Sequence, residues 1–320
     1  MLEKLLKGDR RALAKAITLC ESQKEDRRLA GRSLLEAAMG HTGKAIRLAI
    51  SGPPGVGKSS FIEKLGKLII EDNKKVSVLA IDPSSPIRQG SILGDKTRMP
   101  FLSASQNAFV RPSPTSGQLG GTSAATRESI LLSEAAGYDV ILVETVGVGQ
   151  SEVDAAQMVD IFIMLQLPHA GDELQGIKKG ILEMADIIGI TKCDGTLIEK
   201  AKQAQREHIN ALSFASIGQD APDVLCVSNE TGEGIATFWQ HILSLCHKRK
   251  QSGGFEAKRS EQRRLWLKKE ISAAMNQLLL ESHGMKEAVK KHEKKVYDGL
   301  TPASLAAYRI VKAFKEENYS

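Results

Sequence analysis

The most constraining feature of the sequence is an octapeptide, GPPGVGKS at residues 52–59, which matches the spacing G-x-x-x-x-G-K-[ST] at every fixed position. An apolar run, residues 45–51, precedes it and a helix-like pattern follows it, as expected of a loop between a strand and a helix. Glycines at this spacing let successive backbone N–H groups converge on phosphate oxygens at the positive end of the next helix. The octapeptide therefore predicts a phosphate-binding loop, in which Lys58 reaches the β- and γ-phosphates and the Ser59 hydroxyl coordinates Mg²⁺.

Short β-rich runs alternate with helical stretches from about residue 44 onward. Several of the runs are almost continuously apolar, which is typical of parallel strands covered on both faces. The alternation predicts βαβ units and a doubly wound, mostly parallel α/β domain. Helices are expected after Ser59, over 122–136 and from Thr196 to Leu212. The predicted strands are residues 45–51, 76–82, 108–112, 138–145, 159–166, 185–191 and 223–228.

Apolar residues at helical spacing flank this domain on both sides. The stretch QSGGFE (251–256) is predicted as a linker, and Thr301-Pro302 as the start of a final helix that ends near Phe314. The apolar stripe beyond the linker lies on a segment too small for a large core, so it is expected to pack on its own domain or on a second copy. The predicted domains are an N-terminal helical extension (1–43), a nucleotide domain (44–250) and a C-terminal helical arm (251–320).

Composition excludes several other classes of protein. Hydrophobic residues make up 42% and charged residues 26% of the 320 residues, ordinary values for a globular chain. No apolar run approaches the ~18–20 residues that span a bilayer, and the amino terminus is too charged for a signal peptide. The four cysteines lie far apart. We therefore expect a cytoplasmic protein that has no membrane segment, zinc site or disulfide scaffold.

The net charge of +6 is concentrated in residues 246–295. A basic segment of this kind is usually the solvated face of a helix. Aromatic residues make up only 4% of the chain and do not interleave with the segment as a base-stacking surface requires. We therefore expect no nucleic-acid partner.

Acidic residues at strand ends are placed to complete a Mg²⁺ site with Ser59. Asp82 and Glu144 each end a predicted strand, and Asp95 lies in a glycine-bearing loop. Mg²⁺ requires hard oxygen ligands and usually keeps several waters. Each carboxylate alone would also fit a helix cap or a turn, but beside a phosphate loop the set predicts Ser59, Asp82, Asp95 and Glu144 as metal ligands.

The tetrapeptide Glu144-Thr145-Val146-Gly147 has the form of the switch D-x-x-G, with glutamate in place of aspartate. The Gly147 N–H is expected to contact a γ-phosphate. The next residue, Val148, occupies the position where many small GTPases carry a glutamine that orients the attacking water. Because valine cannot orient water, intrinsic hydrolysis is predicted to be slow unless another group completes the site.

The tetrapeptide T-K-C-D at residues 191–194 follows a strand late in the domain, which is the position of the guanine motif N-K-x-D. A carboxylate at Asp194 can accept from guanine N1–H and N2–H₂, whereas adenine presents an acceptor at N1. Threonine at 191 replaces the usual asparagine and loses an amide contact that supports the base and the loop. The predicted nucleotide-binding residues are Gly52, Pro53, Pro54, Gly55, Val56, Gly57, Lys58, Ser59, Ser60, Thr191, Lys192, Asp194, Ser228, Asn229 and Glu230.

Four longer blocks extend the pattern beyond these motifs: DPSSPIRQGSILGDKTRM (82–99), RPSPTSGQLGG (111–121), GYDVILVETVGVGQSE (137–152) and GDELQGIKKGILEMAD (171–186). In this order the sequence resembles the MeaB/ArgK/MMAA family of P-loop GTPases over nearly the whole chain. It departs from the family pattern at Thr191, at Asn229, where alanine is common, and in the carboxy-terminal tail.

The resemblance implies a GTP-binding and GTP-hydrolysing chaperone that gates adenosylcobalamin loading and protection of an acyl-CoA mutase, typically methylmalonyl-CoA mutase. It also implies a homodimer formed through the C-terminal arm. By position, Asp82, Asp95 and Glu144 match the Mg²⁺ carboxylates of the family, and Asp172 and Lys178 match a third switch that couples the nucleotide to the partner. The expected catalytic residues are then Lys58, Glu144, Gly147, Asp172 and Lys178.

Two other classes remain open. A P-loop kinase or ATPase would share the phosphate loop, but Asp194 argues against adenine. A nickel-type metallochaperone GTPase would need a His-rich tract or a Cys–His metal motif near the loop, and the seven histidines are scattered along the chain.

Overall fold

The computed structural model describes residues 1–22, 24–82, 98–114, 121–145, 150–168, 183–215, 221–281 and 283–319. The chain divides into two compact units, Met1–Arg259 and Ser260–Ser320.

The described residues of the first unit contain a sheet of seven strands, all parallel, in the order β3-β2-β4-β1-β5-β6-β7. Each predicted β-rich run overlaps one of these strands, and β3 extends two residues beyond its predicted run to Pro114, so the prediction of a doubly wound parallel sheet is confirmed. The central strand β1 pairs with β4 on one side and with β5 on the other, with Ile50 opposite both Glu144 and Ile163. The strands are β1 (Ile46–Ser51), β2 (Val76–Asp82), β3 (Ala108–Pro114), β4 (Val140–Glu144), β5 (Ile161–Gln166), β6 (Ile187–Ile190) and β7 (Asp223–Cys226).

Helices connect and flank the strands, as the alternating pattern predicts. In the first unit they are α1 (Leu2–Leu6), α2 (Arg10–Cys20), α3 (Glu25–Ala38), α4 (Lys58–Glu71), α5 (Pro100–Ala104), α6 (Gly121–Ala135), α7 (Gln150–Ala156), α8 (Ile198–Ala215) and α9 (Ile235–Gln251). They are followed by α10 (Gly254–Glu281), α11 (His283–Tyr297) and α12 (Ala303–Tyr319). The QSGGFE stretch forms the turn between α9 and the start of α10, and the final helix continues beyond Phe314 to Tyr319.

The phosphate-loop helix α4 is held by the largest core cluster. Its residues Phe61 and Leu65 pack with Leu48 of β1 and Phe238 of α9, and all four side chains are fully buried. The rings of Phe61 and Phe238 meet edge to face with centroids 5.1 Å apart, a favourable aromatic geometry. Because α4 is packed along its apolar face, its first turn is held at the carboxyl end of β1.

The N-terminal helices belong to a second cluster. Asp9 caps α2, because its carboxylate accepts from the backbone N–H groups of Arg11 at 2.8 Å and Ala12 at 2.9 Å. The buried Leu13 and Ile17 of α2 then pack with residues of α6 and β3. Among the helices that the structure describes, none is long and apolar enough to cross a membrane.

Candidate functional site

The loop between β1 and α4 has a backbone that only glycine fits at its first position. A Cβ atom on Gly52 would lie 2.5 Å from the carbonyl oxygen of Leu165 in the neighbouring strand β5. At the other end of the loop, Gly57 caps α4 with a left-handed φ of 94°. Its carbonyl accepts the first helical hydrogen bond, from the Phe61 N–H at 2.9 Å. The loop therefore packs closely against β5 at one end and is hydrogen-bonded to the first turn of α4 at the other.

The side chain of Lys58 folds back over this loop. Its Nζ donates to the carbonyl oxygens of Gly52 at 2.7 Å and Pro53 at 3.2 Å. Burial lowers the pKa of the Lys58 ammonium, and the carboxylates of Glu144 and Glu152 act in the opposite direction. A partly desolvated ammonium bound to neutral carbonyls gains electrostatic energy when an anionic oxygen replaces them.

Ser59 and Glu144 meet at the end of β4. The Ser59 hydroxyl donates to Glu144 Oε1 at 2.8 Å, and the glutamate is buried. A second hydroxyl–carboxylate pair, Ser51 with Glu152 at 2.6 Å, is buried between β1 and α7, and sequence reasoning did not identify it. Its only sequence signal was a polar residue ending an apolar strand.

Thr191 supports the phosphate loop from the end of β6. Its buried hydroxyl lies 2.8 Å from the Val56 carbonyl oxygen and 3.1 Å from the Gln166 carbonyl oxygen, so a single O–H is shared between two acceptors. From the sequence alone, threonine at this position predicts the loss of a contact that supports the loop. The structure corrects that interpretation, because the shorter side chain reaches the loop directly.

Asp194 and Ser228 bring the loops after β6 and β7 together. The Ser228 hydroxyl donates to Asp194 Oδ2. The Ser228 hydroxyl oxygen in turn accepts from the backbone N–H groups of Glu230 at 3.2 Å and Thr231 at 3.1 Å. Lys192 has a left-handed φ of 56°, which is uncommon for a residue with a Cβ. These contacts orient one oxygen of the Asp194 carboxylate and shape the turn after β7.

Asn229 connects the turn after β7 to the phosphate loop, a contact that sequence reasoning missed. Its Nδ2 donates to the Gly57 carbonyl oxygen at 3.0 Å, whereas the sequence predicts Asn229 only as a nucleotide-binding residue. The amide packs closely on the loop, since a Cβ on Gly57 would lie 2.7 Å from Nδ2. No local pattern in the sequence indicates this contact, because the two residues are 172 positions apart.

The structure therefore gathers the described candidate residues at the carboxyl ends of β1, β4, β6 and β7. Asp82 ends β2 as expected, but its side chain lies outside the described part of the structure, as do Asp95, Gly147, Asp172 and Lys178. Within the described residues, no group of three or more His, Cys, Asp or Glu side chains could hold a metal ion. The predicted metal and switch roles of the undescribed residues stay predictions.

The chain is similar to known proteins over most of its length. A family model described as "Methylmalonyl Co-A mutase-associated GTPase MeaB" matches residues 13–284. The mouse protein named "Methylmalonic aciduria type A homolog, mitochondrial" is 44% identical over 326 residues, covering 98% of this chain and 79% of the mouse protein. The protein named "GTPase ArgK" from Escherichia coli K12 is 46% identical over 271 residues, covering 84% of this chain and 82% of ArgK.

A solved structure is also similar over almost the full length. The crystal structure of a protein named LAO/AO transport system kinase superposes with a TM-score of 0.76 and 33% sequence identity, covering 98% of this chain and 96% of that chain. The solved structure therefore shares the α/β fold of this chain, and the matching family and ArgK are named as GTPases.

Proposed function

Because the chain belongs to the MeaB family of GTPases, we propose that it hydrolyses GTP to GDP and phosphate as the chaperone of an adenosylcobalamin-dependent acyl-CoA mutase such as methylmalonyl-CoA mutase. In this role, GTP binding and hydrolysis gate the loading of adenosylcobalamin and the protection of the mutase. The observation that carries the proposal is the meeting of Lys58, the Ser59–Glu144 pair and the Asp194 carboxylate at one edge of the sheet.

The phosphate loop is proposed to hold the β- and γ-phosphates. Lys58 would exchange the Gly52 and Pro53 carbonyls for phosphate oxygens, which are stronger acceptors because they are charged. Catalysis of phosphoryl transfer is mainly positioning and neutralisation of charge. Glu144 and Lys58 are therefore proposed as catalytic residues, together with Gly147, whose N–H would contact the γ-phosphate.

The chemistry of Ser59 and Glu144 suits Mg²⁺. A hydroxyl and a carboxylate are the hard oxygen ligands that the ion prefers. The two oxygens are 2.8 Å apart, so both could bind the same ion. When bound, Mg²⁺ would neutralise part of the negative charge on the phosphate groups. Asp82 and Asp95 are proposed as additional ligands.

Guanine selectivity is proposed to rest on Asp194. One of its oxygens is oriented by the Ser228 hydroxyl, and the carboxylate would accept from guanine N1–H and N2–H₂. Adenine would place an acceptor against the same carboxylate, which is repulsive. The stem of Lys192 would lie along the base, and backbone N–H groups of residues 228–230 would approach its edge.

Slow intrinsic hydrolysis is proposed because Val148 cannot orient water. The missing group would come from Lys178, with Asp172 coupling the segment to the partner, or from the mutase itself. A group of this kind accelerates related phosphoryl transfers by roughly 10³–10⁵-fold.

A homodimer is proposed through the C-terminal arm. Large apolar residues recur along α10 at helical spacing and are about half exposed or more: Leu267 (62%), Ile271 (53%), Met275 (47%) and Leu278 (50%). A stripe of this width on one helix is typical of a helix–helix seam. A second copy of the arm would cover it.

Single-turnover GTP hydrolysis tests the function, measured with and without methylmalonyl-CoA mutase for the wild type, Lys178→Ala and Asp172→Ala. We expect the mutase to accelerate the wild type, and Lys178→Ala to lose more of the acceleration than of the basal rate. No response of the wild type to mutase would contradict the chaperone role, and a full response of Lys178→Ala would contradict the third switch. Transfer of the labelled γ-phosphate to a molecule other than water would instead support a P-loop kinase.

A further inference from the structure

We propose that the side chain of Asn229 is a positioning residue that holds the phosphate loop from the base-recognition side, and that it acts together with Thr191. This inference deepens the proposed nucleotide site and rests on it. The two side chains bind consecutive carbonyl groups of the loop. Thr191 donates to Val56 at 2.8 Å and Asn229 donates to Gly57 at 3.0 Å.

Holding these carbonyls fixes the donors that face a phosphate. A peptide group is planar and trans, so the N–H of the following residue points opposite to the C=O. The Val56 carbonyl therefore sets the direction of the Gly57 N–H, and the Gly57 carbonyl sets that of the Lys58 N–H. Both N–H groups belong to the glycine-rich segment that binds phosphate in loops of this type. Asn229 and Thr191 thereby act on phosphate binding through the backbone, without touching the nucleotide.

The contact of Asn229 is specific in its orientation. Nδ2 faces the Gly57 carbonyl, because Oδ1 in its place would set two acceptors against each other. Oδ1 is buried and has no hydrogen-bond partner among the described residues. Burying an amide oxygen without a partner is unfavourable, so the side chain is placed here for its single donation to the loop.

The two positions complement each other chemically. In the guanine motif N-K-x-D that the sequence resembles, the residue at the position of Thr191 is an asparagine, whose side-chain amide can donate a hydrogen bond to the loop. This chain has a hydroxyl at 191 and an amide at 229, and both reach the loop. The amide donor missing from the motif is supplied by the next loop, so restoring asparagine at 191 is expected to replace the contribution of Asn229.

The role in positioning phosphate donors can be separated from a direct role in base recognition. Asp194 and its Ser228 contact do not involve the Asn229 side chain. Loss of the side-chain amide should lower the affinities for GDP and ADP by the same factor and leave the preference for GDP unchanged. A base contact from Asn229 would change that preference.

The test measures dissociation rates of fluorescent GDP from the full-length chain and the affinity ratio of GDP to ADP. Asn229→Ala should dissociate GDP about 3- to 10-fold faster, as expected for one lost hydrogen bond, with an unchanged GDP-to-ADP ratio. Asn229→Asp, nearly isosteric, should weaken binding at least as much, because a carboxylate oxygen repels the Gly57 carbonyl. Thr191→Asn added to Asn229→Ala should return the rate to within about twofold of the wild type.

Asn107→Ala serves as the matched control, since Asn107 is an exposed turn residue at the amino end of β3, and it should keep the wild-type rate. A wild-type dissociation rate in Asn229→Ala, a changed GDP-to-ADP ratio, or no rescue by Thr191→Asn would each overturn the inference. Absence of GDP binding by the wild type would be the failure of the proposed function, which the wild-type measurement reveals before any variant is compared.

Discussion

The two edges of the central sheet are built in different ways. At the amino edge, Arg47, Glu134, Asp160 and Arg259 form a buried network. Arg47 donates to both oxygens of Glu134, at 3.0 and 2.8 Å. Arg259 donates to both oxygens of Asp160, at 2.8 Å each. Charged groups at this edge pair with one another in bidentate geometry, which is the most directional form of ion pair.

At the carboxyl edge, side chains mostly bind the backbone of a glycine-rich loop. Lys58, Thr191 and Asn229 all donate to main-chain carbonyls of that loop. Each of these side chains makes one or two hydrogen bonds, and all the acceptors are neutral carbonyl oxygens. An anionic ligand would compete with the carbonyl oxygens for the Lys58 ammonium. We infer from this difference that the ion pairs at the amino edge stabilise the fold, whereas the contacts at the carboxyl edge fix the conformation of a loop that can bind a ligand.

Breaking the amino edge should produce the largest change in stability. Arg259→Met leaves the buried Asp160 carboxylate without its bidentate partner, so we expect the free energy of unfolding to fall by about 3–5 kcal/mol. GDP affinity should be unchanged at temperatures where the variant is folded. Urea unfolding and calorimetry measure the two quantities. Arg264→Met is the matched control, because its pair with Glu261 is exposed, and equal stability of the two variants would contradict the comparison.

Removing the Lys58 side chain at the carboxyl edge should lower the rate of GTP hydrolysis but not the stability of the fold. Lys58→Ala removes the ammonium proposed to neutralise charge on the transferring phosphoryl group, so single-turnover hydrolysis should slow by about 10²–10³-fold or more. The free energy of unfolding should change little, because burial already disfavours this ammonium. Lys67→Ala, on the exposed side of the same helix, should leave hydrolysis unchanged. A Lys58→Ala protein with normal turnover would refute the role of the loop.

A third prediction concerns Asp194, the residue at the carboxyl edge that is proposed to recognise the guanine base. Asp194→Asn loses a charged acceptor for guanine N1–H and N2–H₂, so GDP affinity should fall by about 10- to 100-fold. The affinity for xanthosine diphosphate should rise, because its C2 carbonyl can accept a hydrogen bond from the new amide. Calorimetry with GDP, ADP and xanthosine diphosphate measures the three affinities. Asp223→Asn is the control, because Asp223 is an exposed residue at the start of β7. Equal affinity of the wild type for ADP and GDP would disprove the assignment.

The smallest effect is expected at Gln166, which ends β5. The residue is fully buried, and neither polar atom of its side-chain amide has a hydrogen-bond partner among the described residues. Replacing such a group by an apolar one of similar size removes a desolvation penalty, so Gln166→Leu should raise the free energy of unfolding by about 1 kcal/mol. Urea unfolding measures it, with the exposed Gln203→Leu as control. A clear loss of stability would mean that the amide is bonded at this edge.

The local pattern of the sequence determined the elements and the identity of the loop. Strands such as β4 and β5 are short, apolar and bounded by polar residues, so their period and length identify them without knowledge of their neighbours. The octapeptide determined its own strand–loop–helix context, because glycine and lysine are needed at fixed spacing for phosphate chemistry. Asp194 and Glu144 could be placed at the same edge of the sheet, since parallel strands end on one side.

The tertiary structure alone decided which side chains support the loop. Thr191 and Val56 are 135 residues apart in the sequence, and Asn229 and Gly57 are 172 apart. The partners of Arg259 at the amino edge are equally remote, since Asp160 is 99 residues away. No local period encodes such pairs, because a hydrogen bond between remote side chains depends on strand order, register and rotamer. For that reason the sequence predicts a lost contact at Thr191, whereas in the folded chain its hydroxyl binds the loop.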